Sequence, residues 1–245
     1  MLGARLLMMT ILGDVSVSHD STSDLVLRNI TFTLQPGQKL GLCGRTEGST
    51  SSLILAILGM AEVKSGQILI DGEDISMLSP SIVRNRVQCI AQEPFLVPGS
   101  IRQNLDPLGD KCDSEIIVAM ESVQLWGTMV DRSLMYGFPD CNPLDIMIDD
   151  GFLSYDQQQL LYLTRNLLEQ STILLLDEST SDLDAEEDSE IQAVIQWEFS
   201  CCTTIMIARN LRTILDFDYV AGDRRRSNRR VGEPTVFAVG VPNDL

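Results

Sequence analysis

Residues Ile173 to Asp184, ILLLDESTSDLD, decide how this chain folds. An unbroken apolar run ends at Asp177 and Glu178, with polar residues on both sides. A run this short and this apolar fits the central strand of a parallel sheet covered on both faces. Carboxylates are costly in such a strand except at its carboxyl end, which is where doubly wound sheets place their ligands. The pair therefore suggests a division of labour in which Asp177 holds a metal-bound water and Glu178 acts as a base on an attacking water. An ordinary buried strand followed by an acidic helix cap accounts for the same residues, and this stretch alone leaves both readings open.

Composition narrows the class. With 245 residues, 44% of them hydrophobic, the chain can bury a full core, as one large α/β domain or as a core carrying a smaller subdomain. A formal charge of -17 argues against an electrostatic nucleic-acid binder, whose affinity would rest on many Lys and Arg neutralising phosphates. Any phosphate must be held locally. Cys43, Cys89, Cys112, Cys141, Cys201 and Cys202 show no C-x-x-C spacing, and four are read as lying in apolar, strand-like runs, so a reducing compartment is expected. No apolar run approaches the length needed to span a bilayer, and no membrane anchor is expected within these residues.

Working outward, Met1–Leu12 has a short apolar block but no small-x-small cleavage site after it, so residues 1–13 are read as an extension. Asp14–Ser18 and Leu25–Leu34 read as strands of an antiparallel entry, followed by a turn at Gln35-Pro36-Gly37-Gln38. Leu40–Cys43 is a short strand running into GRTEGSTSS at Gly44–Ser52, after which LILAILGM reads as a buried helix. Strand, glycine-containing loop, helix is the context of a phosphate-binding loop, in which backbone N–H groups cradle a polyphosphate and a terminal hydroxyl ligates Mg2+. Ser51 stands where that hydroxyl belongs, but Ser49 replaces the second glycine and Thr50 the lysine of G-x-x-x-x-G-K-[ST]. Further strands are expected from Gly66 to the turn at Asp71-Gly72 and over Arg86–Ala91, ending at Gln92-Glu93-Pro94. PGSIRQNLDP (Pro98–Pro107) and DSEIIVAMESV (Asp113–Val123) read as short helices. No strand is expected from there to about Asp150, so a helical subdomain is placed at about 95–165.

The ordered set GRTEGSTSS, Gln92, PGSIRQNLDP, LSYDQQQL (Leu153–Leu160), ILLLDESTSDLD and IMIARN (Ile205–Asn210) resembles the nucleotide-binding domain of an ABC transporter. SIRQNLDP and CGRT are similar to the C subfamily, the multidrug-resistance-associated type, and the intact Asp177-Glu178 pair to its second nucleotide-binding domain. The resemblance covers about 14–221, leaving 222–245 as a tail. It implies an α/β P-loop NTPase of the ABC ATPase type, with a mixed sheet core, an antiparallel β entry and an inserted helical subdomain.

It also implies roles. Asp177 matches the magnesium-associated aspartate, Glu178 the catalytic glutamate, Gln92 the glutamine that contacts magnesium and the attacking water, and Ser51 the magnesium ligand of the loop. Gly44, Arg45, Thr46, Gly48, Ser49, Thr50 and Ser52 complete the ATP-binding loop. Ser154, Asp156 and Gln157 match the signature segment that closes on a partner domain's nucleotide. Ser181–Asp184 matches the loop through which paired domains touch, and Asp184 also reads as a helix cap with Glu187 three residues on. The implied cofactors are ATP and Mg2+. The implied partners are a second nucleotide-binding domain and transmembrane domains, with no nucleic acid, at the cytoplasmic face of a membrane.

Four positions depart from the pattern. Thr50 replaces a lysine whose charge-assisted hydrogen bond is worth about 1.5–3 kcal/mol, with Glu47 adding like charge beside it. Asp156 replaces the signature glycine at the start of a helix read as Gln157–Leu168, bringing charge against a polyanion while offering a good N-cap. Arg209 replaces the switch histidine, keeping a charge without proton exchange near neutral pH. His19 stands where the resemblance puts an aromatic that stacks on adenine, and an exposed strand-end histidine accounts for it at least as well. The basic run Arg224–Arg230 reads as a solvated turn. Three functions are thus weighed: a working or partly working ATPase, a catalytically impaired or regulatory half-site, and a non-catalytic interaction domain or fragment of a decayed transporter. Thr50, Asp156 and Arg209 favour impairment.

Overall fold

The computed structural model describes residues 9–18, 25–43, 47–91, 93–135, 141–149, 151–169, 171–177, 185–208, 211–223 and 237–240. In chain order the strands and helices are β1 (Met9–Ser18), β2 (Leu25–Leu34), β3 (Lys39–Cys43), α1 (Glu47–Ile57), β4 (Glu62–Ile70), β5 (Glu73–Asp74), α2 (Pro80–Arg86) and β6 (Val87–Ile90). They continue with β7 (Gly99–Ser100), α3 (Ile101–Leu105), α4 (Asp113–Ser122), α5 (Trp126–Met135), β8 (Met147–Ile148) and α6 (Tyr155–Glu169). β9 (Ile173–Asp177), α7 (Ala185–Glu198), β10 (Thr203–Ile207), β11 (Tyr219–Asp223) and β12 (Phe237–Gly240) complete the order. The chain divides into two compact units, the first from 1–89, 171–179 and 201–245, the second from 90–170 and 180–200.

The first unit carries two sheets. The antiparallel one, in order β2-β1-β4-β5, is the expected entry, with β2 at its expected bounds. β1 starts at Met9, inside the stretch read as an extension, because Met9–Ile11 pairs on both sides, with β2 and with β4. β4 turns into β5 through Asp71 and Gly72, whose φ of 52° and 80° are the two positive values that a tight hairpin of type I′ requires. The second sheet has the order β12-β11-β3-β10-β9-β6. β3 and β9 each run parallel to β10, β11 runs parallel to β3, and β12 closes antiparallel on β11 within the residues read as a tail. Ile173–Leu176 are each 1% exposed or less, which is why that run lacks alternation: both faces of β9 are covered. Ile173 and Leu175 enter a core with Leu40, Leu42, Leu53, Ile57, Ile205 and Ile207. β3 passes so close to Ile214 that a Cβ on Gly41 would lie 2.6 Å from it, so only glycine fits there.

The second unit is mostly helical and has its own core, including Ile101, Leu105, Ile116, Met120, Met129, Leu144 and Leu161. SIRQNLDP is a structural phrase residue by residue. Ser100 and Gln103 form a capping box at the start of α3, with Gln103 N–H donating to Ser100 Oγ at 3.2 Å and Ser100 N–H to Gln103 Oε1 at 2.9 Å. Buried Asn104 exchanges bonds with the Val97 backbone (2.8 and 3.0 Å), and Asp106 accepts the N–H groups of Gly109, Asp110 and Lys111. Three local expectations are corrected. β7 pairs antiparallel with β8, Gly99 opposite Ile148 and Ser100 opposite Met147, so the region does contain strand, in a pair too short to show alternation. Arg86 closes α2 instead of opening β6, and β4 begins at Glu62, four residues before its expected start.

Candidate functional site

Sheet register brings one pair of candidates together. Ile207 at the end of β10 pairs with Leu42 on one side and Asp177 on the other, so Asp177 lies level with the end of β3. From there the chain passes residues 44–46, outside the described ones, and enters α1 at Glu47. Ser51, in the second turn of α1, donates its hydroxyl to Asp177 Oδ1 at 3.4 Å. Strand ends and a helix start thus converge on one sheet edge, the geometry that lets backbone dipoles face an anion. Gly48, Ser49 and Thr50 lie in the first turn of α1, and Ser52 is fully buried beside them in sequence.

The electrostatics of this pole turn on Asp177. Burial raises the Asp177 carboxyl from its ordinary value, and the Ser51 hydrogen bond pulls it back only in part. Cys89, on β6, was not singled out as a site residue; its thiol is pushed up to about 12 by burial and then by the charge of Asp177. Its only sequence signal is a place in a short apolar strand. A hydroxyl and a half-buried carboxylate thus meet at this edge. Two hard oxygens of this kind, Ser51 Oγ and Asp177 Oδ1, suit Mg2+.

The second unit holds another group of candidates. α6 begins at Tyr155, two residues earlier than expected, so Ser154 and not Asp156 stands at its cap position. Ser154 N–H donates to Gln157 Oε1 at 3.2 Å, and Gln158 N–H to Ser154 O at 2.9 Å. Asp156 lies in the first helical turn, where its charge complements the helix dipole without capping a backbone N–H. The entry to this turn is held by Arg132 of α5, which donates to the Phe152 carbonyl oxygen and lies 5.6 Å from the centre of the Phe152 ring. Twenty residues separate the two, and no spacing rule links them. His19, Gly44, Arg45, Thr46, Gln92, Glu178, Asp184, Arg209 and the basic run 224–230 lie outside the described residues. α7 starts at Ala185, directly after Asp184. Cys112, Cys141 and Cys201 are exposed, and Cys201–Cys202 precede β10 instead of lying within it. Among the described residues no helix is long and apolar enough to cross a membrane.

Comparison with known proteins now adds to this geometry. The family described as "ABC transporter" matches residues 27–181. The chain is 44% identical over 225 residues to the ABC transporter ecdL of Aspergillus rugulosus, covering 92% of this chain and 15% of that protein. It is 42% identical over 197 residues to ATP-binding cassette sub-family C member 2 of Homo sapiens, covering 80% of this chain and 12% of that protein. It is also 39% identical over 198 residues to ABC multidrug transporter B of Aspergillus fumigatus, covering 81% and 13%. The chain therefore spans about one-seventh of the length of these relatives.

Proposed function

The chain belongs to the ABC transporter family, as an ATP-binding domain with C-subfamily relatives, and from that premise we propose that it binds Mg-ATP but turns it over slowly. The observation that carries the binding half is the 3.4 Å pair of Ser51 and Asp177 at the carboxyl edge of a parallel sheet. In this reading Ser51, Asp177 and Gln92 hold Mg2+, and Glu178 orients and deprotonates the attacking water. Bound Mg2+ supplies neutralisation of charge on the β and γ phosphates. The loop from Gly44 to Ser52 presents backbone N–H groups to the phosphates, and His19 stacks on the base. The domain resembles the second of the two nucleotide-binding domains of a C-subfamily transporter. It acts with a partner domain and with transmembrane segments, at the cytoplasmic face of a membrane.

The slow-turnover half rests on three replaced residues. Thr50 offers a hydroxyl where the loop needs a cation, Asp156 sets a carboxylate in the segment that closes on the partner's nucleotide, and Arg209 cannot exchange a proton near neutral pH. Thr50 and Asp156 weaken stabilisation of charge in the transition state, and Arg209 keeps a charge but removes a proton-exchanging group. Steady-state phosphate release by the full 245-residue chain in excess Mg-ATP tests this, with Glu178→Gln as background. A rate close to that background is expected. A rate orders of magnitude above it defeats the claim of impairment, and calorimetry showing no Mg-ATP binding, in the wild-type chain or in Thr50→Lys, would favour a non-catalytic interaction domain instead.

A further inference from the structure

We infer that Arg132 is a positioning residue for the turn that leads into α6, and through it for Ser154, Asp156 and Gln157. One side chain grips one residue twice: its guanidinium donates to the Phe152 carbonyl oxygen and faces the Phe152 ring at 5.6 Å. Holding a backbone oxygen and a ring together fixes both the peptide plane and the side-chain direction, which a planar guanidinium can do and a point charge does poorly. Phe152 is 8% exposed, so the grip acts where water competes little. The turn is fixed from its other side too, since Phe152 N–H donates to Asp149 O at 3.0 Å and Gly151 takes a φ of 83° that favours glycine. Downstream, Leu153 O accepts from Gln158 Nε2 at 3.1 Å and Ser154 N–H is taken by Gln157, so the segment from 153 moves with the start of α6. Shifting Phe152 would shift them all.

The dipole of α5 favours a cation at Arg132, in that helix's last turn, but does not account for its reach to Phe152, and the stability of α6 does not either. A cation beside a helix N-terminus opposes the macrodipole, and Asp156 in the first turn is of the sign that offsets it. What Arg132 provides is a fixed path for residues 151–154. The consequence for function rests on the reading of Ser154–Gln157 as a signature segment acting on a partner's nucleotide.

Two readouts on the full chain separate the clamp from that reading. The first is amide hydrogen exchange over 149–158 against α4 as an internal reference. The second is ATP-dependent association with an intact nucleotide-binding domain of the family, measured by sedimentation. Arg132→Ala should speed exchange over 149–158 about 10- to 100-fold, the range of one charge-assisted hydrogen bond, leave α4 unchanged, and weaken association. Arg132→Lys should recover part of both, and Phe152→Leu, which keeps an apolar side chain and the carbonyl, should fall between. Unchanged exchange in Arg132→Ala, or α4 loosening equally, overturns the clamp. If exchange rises but association does not, Asp156→Gly decides: an effect of Asp156→Gly alone on association overturns the positioning role, and no effect from either variant overturns the signature reading itself.

Discussion

Asp177 in the first unit and Asp113 in the second are the same residue type held in opposite electrostatic states. Asp177 is drawn partly out of water with the Ser51 hydroxyl as partner, and its carboxyl is raised. Asp113 stands at the surface, at the first position of α4, between two nitrogens of Arg102 and the Asn142 amide, which donates at 2.9 Å. Its carboxyl is held down, first by the Arg102 hydrogen bonds. Arg102 also donates Nε to Asp145 at 2.8 Å, so one guanidinium serves two carboxylates. A carboxylate that already owns its cation does structural work. One that is drawn out of water with a hydroxyl as its described partner is costlier to keep charged, and that is the contrast between the two regions.

The largest expected effect comes from giving the first pole a cation of its own. Thr50→Lys should lower the Kd for Mg-ATP about 10- to 100-fold, the range of one charge-assisted hydrogen bond. Titration calorimetry reads it directly. An unchanged affinity would mean that the loop itself is at fault, through Ser49 and Glu47, and that the missing charge is secondary; Glu47→Gly with Ser49→Gly should then be the variant that improves binding.

Sequence pattern made the first unit more legible than the second, for physical reasons. β9 and β2 read cleanly because burial on both faces, or on alternate ones, writes directly into residue choice. The Ser51–Asp177 pair was legible as two halves of a motif, each placed by its own strand or helix. β7 and β8 left no period in two residues each. The start of α6 was misjudged because Ser154 and Asp156 are both good caps, and only the backbone decides which one precedes the first helical residue. Arg132 was invisible: a guanidinium gripping a carbonyl twenty residues on leaves no local mark.

A smaller effect tests the raised carboxyl itself. Because the folded pKa of Asp177 lies above its unfolded value, the folded state binds the proton more tightly. The penalty of the charged form is present above the folded pKa and relieved as pH falls through it. Asp177→Asn, which keeps the shape and removes the charge, should therefore raise the melting temperature of the metal-free chain at neutral pH. That gain should shrink as the pH is lowered through the raised value, while Mg-ATP binding is lost at every pH. A melting temperature lower than wild type at neutral pH would break the contrast with Asp113, since Asp177 would then be stabilised where it is.

The smallest expected effect falls on the second region. Asp113 has a folded pKa below its ordinary value of 3.8, so its contribution is present above 3.8 and lost as pH falls through the folded value. Arg102→Met keeps an apolar stem and removes the guanidinium, leaving Asp113 its place in the first turn of α4 and its bond from Asn142. The variant should melt slightly below wild type at neutral pH, less so in high salt, because exposed ion pairs are weak and screened. The gap should close in acid, as pH falls from 3.8 through the lowered folded value and the Asp113 carboxyl takes up its proton. Melting both proteins across that pH range, at low and high salt, decides it. A deficit that persists unchanged in acid would show that Arg102 acts through the packing of its stem and not through charge, and the second region would then no longer be the resident-cation counterpart of the first.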